Sequence, residues 1–207
     1  MAEPDLPQIY LITPPEIDLS AFPSQLEPIL DAIDIACLRL ALSTQDEDRL
    51  IRAADQLRAV AHARDIPVVI DSHIQLVQRL GLDGVHLKDG ARSVRAARKE
   101  LGEDAIVGAY CGNSRHDGLN AGEAGADYIA FGPVAETALG DGRVADKELF
   151  GWWSEMIEVP VVAEGALDLT HIRDLSDATD FFAIGAEIWS SDTPLKTLDN
   201  LITAMAG

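Results

Sequence analysis

A short apolar run introduced by an aspartate recurs along this chain and narrows the folds open to it. The fullest copy is Gly125-Ala126-Asp127-Tyr128-Ile129-Ala130-Phe131-Gly132-Pro133, which reads as a helix end, a buried strand and a glycine turn. Gly81-Leu82-Asp83-Gly84-Val85-His86-Leu87 and Ala178-Thr179-Asp180-Phe181-Phe182-Ala183-Ile184-Gly185 repeat the grammar, and Asp34 stands before another run at 35–40. Unbroken apolar runs suit parallel strands covered on both faces, although periodicity alone leaves buried helix open. Their repetition points to one strand–helix unit used several times.

Taken in order, strands are expected at 8–13, 35–40, 66–70, 84–87, 105–110, 128–131, 160–163 and 181–184. Helices are expected between them. Thr44 with Glu47 has the form of a capping box ahead of a face made by Leu50, Ala54, Leu57 and Ala61. Ser72 with Gln75 reads as another helix start, with Ser72 as a cap, and Pro194 opens the last helix. Trp152 and Trp153 fall in a helix, where packing on the sheet accounts for at least one of them.

Eight alternations without a linker or charge block predict a single domain over 1–207, an α/β fold of the closed (β/α)8 TIM-barrel type. An open doubly wound sheet is the alternative. It calls for a Gly-rich dinucleotide fingerprint after an early strand, and neither Thr13-Pro14-Pro15 nor Leu40-Ala41-Leu42 supplies one.

With 207 residues, 47% of them hydrophobic, the chain can bury a sizeable core. Its formal charge of −19 argues against nucleic acid or an anionic membrane surface as partner. An anionic small molecule needs a local cluster of donors. Cys37 and Cys111 show no metal-type spacing and read as free buried thiols. Without a basic leader or a long apolar run, a cytoplasmic protein is expected. Oligomeric state is not encoded in any visible pattern; a homodimer is the expectation carried forward.

Barrel chemistry belongs at the carboxyl ends of the strands. Those ends supply Thr13, Arg39, Asp71, Lys88, Asp89 and Tyr110, then Pro133, Glu136, Thr137, Glu164, Gly165, Gly185 and Glu187. Asp83, Asp127 and Asp180 fall at strand starts and are assigned to structure. Gly165-Ala166 and Gly185-Ala186 place small residues where barrels commonly cradle a phosphate, while Glu164 and Glu187 oppose an anion there. His86 reads as a hydrogen-bonded core imidazole. No nucleophile–base pair and no metal-ligand spacing is visible.

These residues, in this order, resemble a known family. Ile9-Tyr10-Leu11-Ile12-Thr13, Leu38-Arg39, Gly84-Val85-His86-Leu87, Gly108, Gly125 to Val134, Thr137 and Pro160-Val161-Val162-Ala163 are similar to thiamine phosphate synthases and the related TenI-like thiazole tautomerases. The resemblance runs over about residues 8–190. It implies a (β/α)8 barrel that joins hydroxymethylpyrimidine pyrophosphate to thiazole phosphate and releases pyrophosphate. The implied mechanism is dissociative, with cations, usually including Mg²⁺, holding the departing group.

By that resemblance Arg39 meets pyrophosphate; Lys88 and Arg143, which stand outside the family pattern, are expected as further catalytic cations that rebuild the site. Asp71, Tyr110, Thr137 and Glu164 line the substrate. Gly165, Ala166, Gly185 and Ala186 hold phosphate. The chain also departs from the pattern. Strand two carries Cys37, Arg39 and Ala41 where the family has Gln, Arg and Lys, and Asp71-Ser72 replaces Asn-Asp. Lys88-Asp89-Gly90-Ala91 replaces Gly-Gln-x-Asp, Tyr110 replaces a Ser, and Gly140 replaces a Lys for which Arg143 is a substitute. Pro133 stands where a tautomerase has His, and Gly165-Ala166 stands for Gly-Gly. The metal-binding Asp of the pattern is thus missing, with Asp71 as a candidate stand-in; no protein metal ligand is assigned, and Mg²⁺ is expected only if the chain is a synthase. The alternatives are a non-synthase paralogue on the same barrel, without cofactor, that binds a phosphate ligand, regulates, or acts as a TenI-like thiazole tautomerase, or a rearranged phosphate-handling enzyme with Glu136 or Glu164 as base.

Overall fold

The computed structural model describes residues 6–137 and 142–206. Its centre is a closed parallel barrel of β1 (Gln8–Ile12), β2 (Ile35–Leu40), β3 (Val68–Asp71), β4 (Gly84–Leu87), β5 (Ile106–Tyr110), β6 (Tyr128–Phe131), β7 (Val161–Glu164) and β8 (Phe181–Ile184). β8 pairs back onto β1, with Tyr10 opposite Ala183, so no sheet edge remains. Around it run α1 (Phe22–Ala32), α2 (Glu47–His62), α3 (Ile74–Leu80), α4 (Val94–Leu101), α5 (Arg115–Glu123), α6 (Lys147–Met156), α7 (Leu169–Leu175), α8 (Ala186–Trp189) and α9 (Pro194–Met205). The expected barrel is the observed one.

The alternation of strand side chains builds two cores. Outward residues such as Leu11, Leu38, Ile70, Ile129 and Phe182 pack beneath the helices. Inward residues Tyr10, Cys37, Val69, Tyr128, Ala130, Val162 and Ala183 form a second cluster inside the ring. Gly108 makes that interior possible: a Cβ there would lie 1.9 Å from Cζ of Tyr128. Trp153, 1% exposed, packs edge-on against Phe131 and donates its Nε1–H to the Val159 carbonyl.

The aspartates of the repeated run do one structural job. Asp83 accepts the Val68 amide at 2.6 Å, Asp127 the Val107 amide at 2.7 Å, and Asp180 the Val161 amide at 2.8 Å. Each carboxylate, standing before one strand, satisfies an N–H at the start of the preceding strand, the first of β3 and β7 and the second of β5. That donor would otherwise be left unpaired at the amino-terminal mouth.

Two helix starts differ from the sequence expectation. Asp46, not Thr44, caps α2 by accepting the Arg49 amide, and Thr44 accepts the amide of Asp46 instead. Ser72 is not a cap: its φ of 59° is left-handed, and α3 begins after His73 without a side-chain cap. The turn that carries Asp71 onto the rim takes Ser72 out of capping geometry. The position of Gly140 lies outside the described residues.

Candidate functional site

Because all eight strands run parallel, their carboxyl ends gather on one face. At that face the structure joins side chains remote in sequence into a line of ion pairs. Arg39, on β2, donates from Nε to Asp71 Oδ1 at 2.6 Å and from Nη1 to Glu164 Oε2 at 2.8 Å. Lys88, just beyond β4, places Nζ 2.8 Å from the other Asp71 oxygen. Arg39 and Asp71 are buried, whereas the Lys88 side chain is 57% exposed and reaches open space. Burial opposes the Arg39 charge, but Glu164, Tyr10 and Asp71 outweigh it and raise its pKa further above the usual arginine value.

Beneath this line lies a buried aromatic relay. Tyr10 and Tyr128 hydroxyls are 2.7 Å apart, and Tyr128 meets His86 Nδ1 at 2.8 Å. Burial, then the Arg39 and Lys88 charges, push the His86 pKa well down, so its imidazole is neutral. The core-imidazole expectation therefore holds.

Beside the ion-pair line, between the ends of β4, β5 and β6, opens a cavity of about 670 Å³. Lys88, Tyr110 and Arg143, all expected at the site, line it together. Tyr110 fixes one wall by donating its hydroxyl hydrogen to the Gly132 carbonyl at 2.6 Å. Arg92 also lines the cavity and was not foreseen; its signal was its place in the β4–α4 loop, four residues beyond Lys88. Three cations, Lys88, Arg92 and Arg143, face two carboxylates, Asp89 and Asp117. Among the described residues the lining thus has one more cation than carboxylates (3 − 2), in a chain of net −19.

Other expected residues lie on the rim but not in this lining. Thr137 and Glu136 are exposed on the loop after β6. Gly165 and Ala166 both have left-handed backbone, with φ of 84° and 59°, and the Gly165 carbonyl accepts the Val134 amide. The Gly185 amide is already engaged: Glu187 Oε2 accepts it at 2.8 Å, while Oε1 accepts the Leu167 amide at 3.2 Å. A carboxylate of the chain itself thus holds the Gly185 amide and the amide that follows the Gly165-Ala166 turn, and Ala186 opens the short α8.

The residues at the rim do not fit Mg²⁺. Both Asp71 oxygens are committed to Arg39 and Lys88, and Asp89 accepts the Ser93 hydroxyl hydrogen at 2.6 Å. Among the described residues no three His, Cys, Asp or Glu side chains gather as a metal site.

The family model described as thiamine monophosphate synthase matches residues 9–188. The chain belongs to the thiamine monophosphate synthase family. It is 40% identical over 185 residues to the thiamine-phosphate synthase of Rhodospirillum centenum (strain ATCC 51521 / SW), covering 88% of this chain and 89% of that one. The thiamine-phosphate synthase of Erythrobacter litoralis (strain HTCC2594) is 38% identical over 199 residues, with 93% of each chain covered. Among solved structures, thiamine phosphate pyrophosphorylase from Pyrococcus furiosus superposes with a TM-score of 0.82 at 20% identity, over 96% of this chain and 95% of that one. That likeness speaks for the barrel. No described helix is long and apolar enough to cross a membrane.

Proposed function

We propose that this protein forms thiamine phosphate from hydroxymethylpyrimidine pyrophosphate and thiazole phosphate, releasing pyrophosphate. The observation that carries the reading is the cationic cavity at the barrel mouth, lined by Lys88, Arg92 and Arg143, in a chain of this family. In the reaction the carbon–oxygen bond breaks and its electron pair leaves with the diphosphate. The thiazole nitrogen lone pair then forms the new carbon–nitrogen bond, so no proton need move. The chain's task is electrostatic: fixed cations stabilise the charge that builds on the leaving oxygen, where one lost donor typically costs about 3–4 kcal/mol of barrier.

In this reading Lys88 and Arg143 face the diphosphate. Arg39 holds Asp71, and through it Lys88, in place. Tyr110 shapes the wall beside the pyrimidine. Thiazole phosphate takes the Gly165-Ala166 and Gly185-Ala186 turns once Glu187 gives up the Gly185 amide.

That last requirement favours a second reading, a paralogue that binds the diphosphate compound but rejects thiazole phosphate, because Glu187 already fills the turn. Incubating the protein with both substrates and assaying for thiamine phosphate separates the two. Product formation that falls by at least about tenfold in Lys88→Met supports the synthase. Absence of product at high protein concentration removes it.

A further inference from the structure

We infer that this pocket binds and releases a diphosphate group without a divalent cation, the Lys88 ammonium taking the place at Asp71 that a metal would need. The inference rests on the proposed reading only for the identity of the anion. Asp71 is the one carboxylate that ends β3 at the rim, and neither of its oxygens is open: Arg39 Nε holds Oδ1 at 2.6 Å and Lys88 Nζ holds Oδ2 at 2.8 Å. Mg²⁺ demands about six oxygen ligands in near-octahedral geometry and is usually anchored by one or two carboxylates. To gain Asp71 it would have to expel an ammonium ion while sitting next to a buried guanidinium. Asp89, the nearest carboxylate in sequence beyond Lys88, is turned to the Ser93 hydroxyl.

The same arrangement supplies what the metal would have supplied. Lys88 has three N–H donors, one of them directed to Asp71, and its side chain is 57% exposed toward the cavity it lines. Asp71 fixes the ammonium, and the buried Arg39 fixes Asp71, so the cation is positioned before a ligand arrives. Arg92 and Arg143 line the same cavity, so its described cations outnumber its described carboxylates, Asp89 and Asp117. When the carbon–oxygen bond breaks, the electron pair passes to the diphosphate oxygen, and the Lys88 ammonium held by Asp71 meets it. The step needs no proton and no oxidant or reductant.

The test is calorimetric titration of the full chain with inorganic pyrophosphate, first in EDTA and then in Mg²⁺, using the free-ligand concentration in each case. Binding in EDTA, changed by less than about tenfold on adding Mg²⁺, is the expected result. Lys88→Met should weaken binding in EDTA by about tenfold or more, and Lys88→Arg should recover most of it. Binding seen only with Mg²⁺, strengthened about tenfold or more by it, or indifferent to Lys88→Met in a variant with unchanged circular dichroism, overturns the inference. So does no binding under either condition. Metal-independent binding without any thiamine phosphate formed would remove the synthase reading and keep this one; Mg²⁺-dependent binding with turnover would do the reverse.

Discussion

Replacing Arg39 by Met should destabilise the barrel far more than a surface change, and the structure says where the cost arises. Arg39 is 3% exposed, and its guanidinium bonds to Asp71 and Glu164. Removing one partner of a buried ion pair typically costs about 3–5 kcal/mol, mostly through the charge left behind. Here Asp71 keeps Lys88, so the stranded charge is chiefly Glu164, whose side chain is 17% exposed. The lower end of that range, about 3 kcal/mol, is therefore expected. Adding Glu164→Gln removes the stranded charge and should recover about 1–2 kcal/mol, even though it deletes a second native group. Urea unfolding followed by circular dichroism near neutral pH measures both, provided the m-values agree. A loss below about 1 kcal/mol in Arg39→Met, or a double variant less stable than the single one, refutes the reasoning.

Two further perturbations probe the interior. Gly108→Ala sets a methyl group 1.9 Å from Tyr128 Cζ, and overpacking of this kind should cost about 1–3 kcal/mol or more in the same urea assay. For pH, His86 has a folded pKa well below the ordinary 6.5, so the unfolded chain binds its proton first as pH falls. Its contribution is fully present above that unfolded value and is lost below it, with a limiting slope of about 1.4 kcal/mol per pH unit. His86→Gln should flatten this part of the acid limb; a wild-type curve of unchanged slope on that substitution would contradict the assignment.

The strands were legible because a parallel strand covered on both faces writes itself as an apolar run, and β2, β4, β6 and β8 lie where those runs lie. Boundaries slipped where that rule meets other chemistry. β3 and β7 were expected one residue too short at their carboxyl ends, since Asp71 and Glu164 read as loop residues. In the barrel both are inward side chains neutralised by Arg39, a partner 32 and 125 residues away in sequence. α8, four residues long, is too short to carry a helical period. Rim membership of Lys88, Glu164 and Glu187 was readable from strand ends, but not their partners. Lys88 meeting Asp71, and Glu187 closing over the Gly185 and Leu167 amides, depend on closure of the ring.

A crystal structure of the protein with a non-hydrolysable analogue of hydroxymethylpyrimidine pyrophosphate tests the central claim most directly. The account predicts the diphosphate in the cavity between the ends of β4, β5 and β6, with its oxygens within hydrogen-bond reach of Lys88 Nζ and of Arg92 or Arg143. A diphosphate bound away from Lys88, or at the opposite mouth beside Asp83, Asp127 and Asp180, would contradict it.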